Sequence, residues 1–408
     1  MRARIWVAAA LIALASCGQT ADNQQAPPPA PVQASAWTPA NEQALVQALG
    51  EAGRHALNPD DFLGPIRAAG PAGRDAALTG AALAYGGALA RGRTDPARIN
   101  RVYTLPRPSP DLDAALQAAL ARNGLAQWFA ELAPQDADYR ALSDAYVEAN
   151  AQIRATTGEP PPVLVERART LAVNLERRRW LERTAPATRI DVNTAAAMLT
   201  YWRDGSAADT RRVVVGEPGR ETPELASPLY RLAANPTWTV PRSIEGEISA
   251  ASMRRNNMER RDGWIVQRPG PRNSLGLVKF DLQNDQQIYL HDTPATQLFA
   301  EDERHASHGC VRVADAPGFA AMIAADQGVT DQWREARAKR EDGQPAEAFV
   351  PLPRPIPVRL LYQTAYVENG QVVIVPDAYG WDEDVAEGLG LPRRPHQRAA
   401  ARRGDLGP

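Results

Sequence analysis

Lysine and cysteine are nearly missing from this sequence: among 408 residues there are two cysteines, and only Lys279 and Lys339 among the cations are not arginine. Two thiols make one bridge at most, which excludes a disulfide scaffold and leaves Cys17 and Cys310 to be explained separately. An excess of charge of either sign is missing as well. The 46 basic residues face 48 acidic ones for a net charge of −2, which argues against a nucleic-acid binder with its usual basic face. Long apolar runs are confined to IWVAAALIALA near the start, too short to span a bilayer as a helix. What is present, 44% hydrophobic and 23% charged residues, is too apolar for a disordered chain and long enough for at least one core, more plausibly two.

The first segment reads as an address. Arg2 and Arg4 precede the apolar run, as in a secretory leader spanning 1–16. Leu14-Ala15-Ser16-Cys17 resembles the lipobox of bacterial lipoproteins, which implies that Cys17 is lipidated and becomes the first mature residue; Gly18 after it implies the outer membrane. Ordinary cleavage near 13–15, leaving a soluble periplasmic protein, is the other reading. Residues 17–39, rich in Pro, Gln and Ala, form a tether to that lipid anchor.

Helical periodicity and few β-branched residues follow over 40–181, with helices expected at 41–50, 75–91, 111–122, 136–156 and 163–181. Glu176 to Trp180 (ERRRW) reads as a solvated helix face. From 186 to 382 the pattern changes to short β runs at 188–192, 197–202, 212–215, 229–233, 277–282, 287–291, 358–362 and 372–375. Helices are expected at 314–326 and 331–340. The fold class is α+β, a helical domain followed by a mostly β one. Residues 241–276 are a long polar stretch, a candidate lid, and the Arg- and Pro-rich tail at 388–408 reads as disordered.

Chemistry concentrates in YLHDTPATQLFAEDERHASHGCVRV, from Tyr289 to Val313, with three of the five histidines and the second cysteine. A thiol attacks as thiolate, so it needs a base and local positive potential. Histidine suits the first role, and Arg312 adds charge. Gly309 before Cys310 permits a tight turn whose main-chain N–H groups can face an oxyanion. Zinc bound by His291, His305, His308 and Cys310 is the rival reading. His305 is otherwise expected on an exposed loop at the cleft rim. Trp238 and Trp264 read as packing residues, and Ser307 lacks the context of a serine nucleophile.

His291, fifteen intervening residues and then Ser307-His308-Gly309-Cys310-Val311-Arg312 resemble the catalytic motif of the L,D-transpeptidases, the YkuD-type domain. NLERRRWL (174–181), the stretch 213–244, PGPRNSLGLVKF (269–280) and YLHDTP (289–294) are similar to the large Gram-negative members with a helical scaffold, as is 77–96. No peptidoglycan-binding module fits between Tyr139 and Val165. The resemblance implies that Cys310 is the nucleophile and His291 its base, oriented by the backbone oxygen of Asp292. Amides at His308, Gly309 and Cys310 would form the oxyanion hole. Ser307, Arg312, Asn273, Ser274 and Tyr289 are expected at the substrate. The implied partners are donor and acceptor peptidoglycan stem peptides. No metal or cofactor is implied. The implied reaction is transfer of a diaminopimelate acyl group, with loss of D-Ala, to an amine or to water.

Overall fold

The computed structural model describes residues 37–394. Small residues dictate how the first domain packs. The first domain consists of helices α1 (Pro39–Gly50), α2 (Asp60–Ala68), α3 (Arg74–Arg91), α4 (Pro96–Ile99), α5 (Leu112–Ala121), α6 (Leu125–Leu132), α7 (Ala137–Ala155) and α8 (Pro162–Trp180), with α1, α2, α5, α6 and α8 packed on α3. Gly86 of α3 lets α6 lie against it: a Cβ there would stand 2.9 Å from the Trp128 ring. Phe62, Tyr85, Trp128 and Phe129 then interlock with Leu45, Leu116, Leu171 and Leu175 in one apolar core. Asp95, Asp111 and Asp136 cap α4, α5 and α7 by accepting an amide of the first turn. Residues 137–180 are occupied by α7, a short linker and α8.

The second domain alternates as strands should. β1 (Arg189–Asn193), β2 (Met198–Arg203), β3 (Ser206–Gly216) and β4 (Leu225–Ala234) are followed by the short β5 (Trp238–Thr239). Beyond it come α9 (Arg242–Glu245), α10 (Ala250–Arg255), β6 (Met258–Arg261), β7 (Trp264–Gln267), β8 (Val278–Leu282), β9 (Leu290–His291), β10 (His305–Ser307) and β11 (Val311–Val313). Next are α11 (Ala316–Asp326), α12 (Thr330–Ala338), the small hairpin β12 (Arg340–Glu341) and β13 (Gln344–Pro345), and the long β14 (Ala348–Leu361).

The main sheet has nine strands in the order β10-β3-β11-β9-β8-β4-β14-β1-β2, and β3 also pairs with β2, so the sheet closes on itself. Inward residues such as Val192, Leu199, Val213, Leu232, Phe280, Leu290 and Val311 pack against Phe319 and Ile323 of α11 and Trp333 of α12. The segment expected as a candidate lid is a folded unit. β5, β6 and β7 form a separate three-stranded sheet with its own core of Trp238, Val240, Ile244, Met258, Ile265 and Leu275.

The chain then returns to the first domain. The hairpin β15 (Ala365–Glu368) and β16 (Gln371–Ile374) joins the helical core through Ala365, Val367 and Val372, and α13 (Trp381–Gly388) packs on α8. The expected solvated face of ERRRW is wrong, because the return covers Arg177 and the scaffold itself covers Glu176 and Arg179: Glu176 and Arg179 are 0% exposed and Arg177 only 3%. Glu176 accepts from the amides of Arg93 and Thr94, from the Thr94 hydroxyl and from Arg179. Arg177 pairs with Asp382 and lies over the Tyr362 ring, 5.1 Å from its centroid. Gly92, at φ 81°, makes the turn toward Glu176, and any side chain there would collide with that carboxylate. None of the described helices is long and apolar enough to cross a membrane.

Candidate active site

Register builds the site. β9 runs parallel to β11, pairing Val311 with Leu290 and Arg312 with His291, while β8 pairs Lys279 with His291. Leu290 and Val311 face the core, so their neighbours Tyr289, His291 and Arg312 share the opposite face. Cys310 stands just before β11, at the end of a turn that Gly309 makes at φ 116°. It is a free, buried thiol on the floor of a cleft of about 990 Å³. Tyr289, His308 and Gly309 also line the cleft, with Trp238, Lys279 and Asp281 on one side and the scaffold's Asn100, Arg101 and Val102 at an end.

Electrostatics leave the thiol protonated. Burial pushes the Cys310 pKa up to about 11, against the smaller opposing pulls of hydrogen bonds from Tyr289 and the charges of Lys279 and Arg312. Its Sγ donates to the Gln287 carbonyl at 3.7 Å. Attack therefore needs a base. His291 is fully buried, and its Nδ1 lies 2.5 Å from the Asp292 carbonyl oxygen. A carbonyl only accepts, so Nδ1 carries the proton and Nε2 keeps the lone pair that can take one. The Tyr289 ring lies 5.7 Å from the His291 ring and reaches the Cys310 sulfur with its hydroxyl.

Several expected contacts are not at the cleft. Ser307 is fully buried inside the turn, its hydroxyl donating to the Cys310 carbonyl at 2.6 Å and accepting the Gly309 N–H at 3.1 Å. That bond removes Gly309 from the expected trio of oxyanion amides. Asn273 is buried behind the β5–β7 sheet, where its amide donates to the carbonyls of Pro236, Gln267 and Arg268; the Ser274 N–H donates to Gln267. Arg312 is 1% exposed on the sheet face, and its charge pulls the Cys310 pKa down. His305, expected on an exposed rim, is instead buried on β10: Nδ1 meets Glu303, Nε2 lies 2.9 Å from the Thr194 carbonyl oxygen, and its ring is edge-on to Tyr379. With both its nitrogens engaged, His305 is no partner of Cys310 in a zinc site, and among the described residues no His, Cys, Asp and Glu cluster converges to hold a metal.

His308 is on the rim, its Nε2 3.3 Å from Glu247 of the small sheet unit, and Glu247 also pairs with Arg220. Trp238 is buried in that unit's core yet lines the cleft, whereas Trp264, 40% exposed, stacks under Arg242. Sequence reasoning missed Gln287, Glu247, Thr222 and Tyr379, which carry no local motif. Cys17 and the leader lie outside the described residues.

Comparison with known proteins bears on the two domains. Residues 187–335 match the model of the L,D-transpeptidase catalytic domain and residues 32–145 that of the scaffold domain. A Haemophilus influenzae protein named "Putative L,D-transpeptidase" is 30% identical over 223 residues, covering 48% of this chain and 45% of that protein, so the chain spans under half of that relative's length. Similar solved structures include an L,D-transpeptidase from Mycobacterium smegmatis, 14% identical over 43% of this chain and 58% of that one at a TM-score of 0.23. Another is the catalytic domain of the E. faecium L,D-transpeptidase acylated by ertapenem, 16% identical over 41% and 98% at a TM-score of 0.21. Superpositions this loose transfer no residue role. By these matches the chain carries an L,D-transpeptidase catalytic domain over 187–335 behind a scaffold domain over 32–145.

Proposed function

We propose that the protein is a periplasmic peptidoglycan L,D-transpeptidase whose nucleophile is Cys310. The observation that carries the reading is a buried thiol on a cleft floor that shares the Tyr289 side chain with a histidine on the adjacent strand, its tautomer fixed by the Asp292 carbonyl with Nε2 as acceptor. Cys310 Sγ bonds to the carbonyl carbon at the L-centre of diaminopimelate in a tetrapeptide stem as its proton passes to His291. The C–N bond to D-Ala breaks, and the departing amine takes that proton. An amine of a second stem then attacks the thioester, gives its proton to His291 and releases the thiol. The amides of His308 and Cys310 are the proposed oxyanion donors.

The cleft offers charges of both signs, Lys279, Arg101 and Arg231 against Asp281 and Glu221, which suits stems bearing carboxylates and ammonium groups. Proximity to the wall would come from lipidation of Cys17 at the outer membrane, a reading supported by the sequence around Cys17 and checked by fatty-acid labelling of wild type against Cys17→Ala. Incubation with purified disaccharide-tetrapeptides tests the activity by mass spectrometry. Release of D-Ala with cross-linked dimers is expected; tripeptides without dimers would make water the acceptor and the enzyme an L,D-carboxypeptidase. No D-Ala release would overturn the reading.

A further inference from the structure

The turn that carries Cys310 is tied down from behind by residues far away in sequence. Thr222, fully buried, donates from Oγ1 to the Gly309 carbonyl at 2.8 Å and accepts the Gly216 N–H on the same oxygen at 2.8 Å. Tyr379, also fully buried, donates to the Gly216 carbonyl at 2.7 Å and accepts the Thr222 N–H at 3.3 Å. Space at this junction is fully used: a Cβ on Gly216 would stand 2.2 Å from the Arg220 carbonyl oxygen. Tyr379 is itself fixed. Its ring stacks on Tyr362 at 5.0 Å and 14°, its N–H donates to the Tyr362 hydroxyl, and that hydroxyl donates to Asp377 at 2.6 Å.

The chain of contacts continues into the scaffold domain. Asp377 accepts the amides of Gly380, Trp381 and Asp382 at the start of α13. Asp382 accepts from the Thr364 hydroxyl and pairs with Arg177 of α8, and Asn174 of α8 donates to Thr364 at 2.7 Å. Residues 362–382 lie beyond the matched catalytic domain, which ends at 335.

We propose that Thr222 and Tyr379 are positioning residues for the oxyanion site, and that the C-terminal return anchored on α8 is thereby part of the catalytic apparatus. In a trans peptide the C=O and N–H point in opposite directions. Holding the Gly309 carbonyl back against Thr222 turns the next N–H, that of Cys310, toward the cleft. Among the described residues that amide takes part in no turn or loop backbone bond. It is placed for the oxygen of a carbonyl that Cys310 attacks, so the inference rests on the acyl-transfer function proposed above.

The test uses the full chain with Thr222→Val, Thr222→Ser and Tyr379→Phe, measuring kcat and KM on tetrapeptide substrate, the Tm, and the rate of Cys310 alkylation by iodoacetamide. Alkylation displaces iodide from a saturated carbon and builds no oxyanion. Misaiming a donor should lower kcat about ten- to a hundredfold in Thr222→Val and Tyr379→Phe. KM and alkylation should stay within about threefold, and Thr222→Ser, which keeps the hydroxyl, should stay near wild type. Unimpaired kcat in both variants, alkylation falling in step with kcat, or a Thr222→Ser defect as large as that of Thr222→Val would overturn the inference. Should Thr222→Val not fold, Tyr379→Phe carries the same test. A wild-type chain without turnover overturns the function reading and this inference with it; active wild type with fully active variants overturns this inference alone.

Discussion

Two arginine-rich regions of the molecule have opposite characters. In the small sheet unit over 241–276, Arg242 and Arg260 meet Glu245, and Arg261 and Arg268 meet Glu259, through arginine side chains that are more than half exposed. On α8 the same residue types are sealed: Arg179 with Glu176, Arg177 with Asp382, Arg169 with Glu383. Exposed pairs are screened by water and salt and contribute little that can be measured. Buried ones have surrendered their hydration, so breaking one strands a charge. The first region makes a soluble rim; the second makes the junction on which the C-terminal return, and through it the Cys310 turn, depends.

The largest stability effect should come from Glu176→Gln, which leaves Arg179 buried beside a neutral amide and weakens the bonds to Arg93 and Thr94. A loss of about 3–5 kcal/mol in urea unfolding is expected. Replacing the pair with Leu and Met should not restore it, because the amides of Arg93 and Thr94 would stay unpartnered. Recovery in that double variant would break the comparison.

Next in size is a pH effect at the same junction. Burial pushes the Glu224 pKa up to about 7, partly offset by Arg177, while its carboxylate accepts from Asn100 and from the Tyr362 N–H. Burial likewise raises Asp382 to about 6. A carboxyl that holds its proton more tightly when folded adds stability below its unfolded pKa, and that stability is lost as pH rises through the folded pKa. Thermal stability should therefore fall between about pH 5 and 8, with Glu224 responsible for on the order of 2–3 kcal/mol, and Glu224→Gln should flatten the slope. Glu176 contributes in the opposite sense. Arg179 and Thr94 outweigh its burial and hold its pKa low, so its contribution is lost only in acid. An unchanged slope in Glu224→Gln would contradict this assignment. The smallest effect belongs to the rim: Arg260→Ala should leave Tm unchanged in low and high salt, and a clear shift would erase the contrast between the two regions.

The sequence was informative where chemistry is local. His291 and the Ser307–Arg312 motif are contiguous or nearly so, and the Ala-rich helices and alternating strands announce their own periods. It was silent where burial depends on a distant partner. Nothing in ERRRW distinguishes a solvated face from a covered one, since Arg177 meets Asp382 some 200 positions later while Glu176 and Arg179 meet Thr94 and His55 some 80 and 120 positions earlier. The prolines of β14 disguised its first half, which the sheet accommodates by a register shift between Pro351 and Ile356. α2, α6 and α13 are short, and α2 holds Pro65 within it. Asn273 was placed at the substrate because its segment matched a family stretch, but its match reflects a turn that needs an amide to bind three carbonyls. Thr222 and Tyr379 were invisible because their role exists only once residues 216, 222, 309 and 379 converge.

The central claim is that Cys310 is the acyl carrier, and intact-protein mass spectrometry during turnover on a tetrapeptide stem tests it directly. Wild type should gain the mass of the acyl group after loss of D-Ala, mapped by digestion to Cys310, while Cys310→Ala gains none and forms no product. An adduct on another residue, or product from Cys310→Ala, would contradict the account.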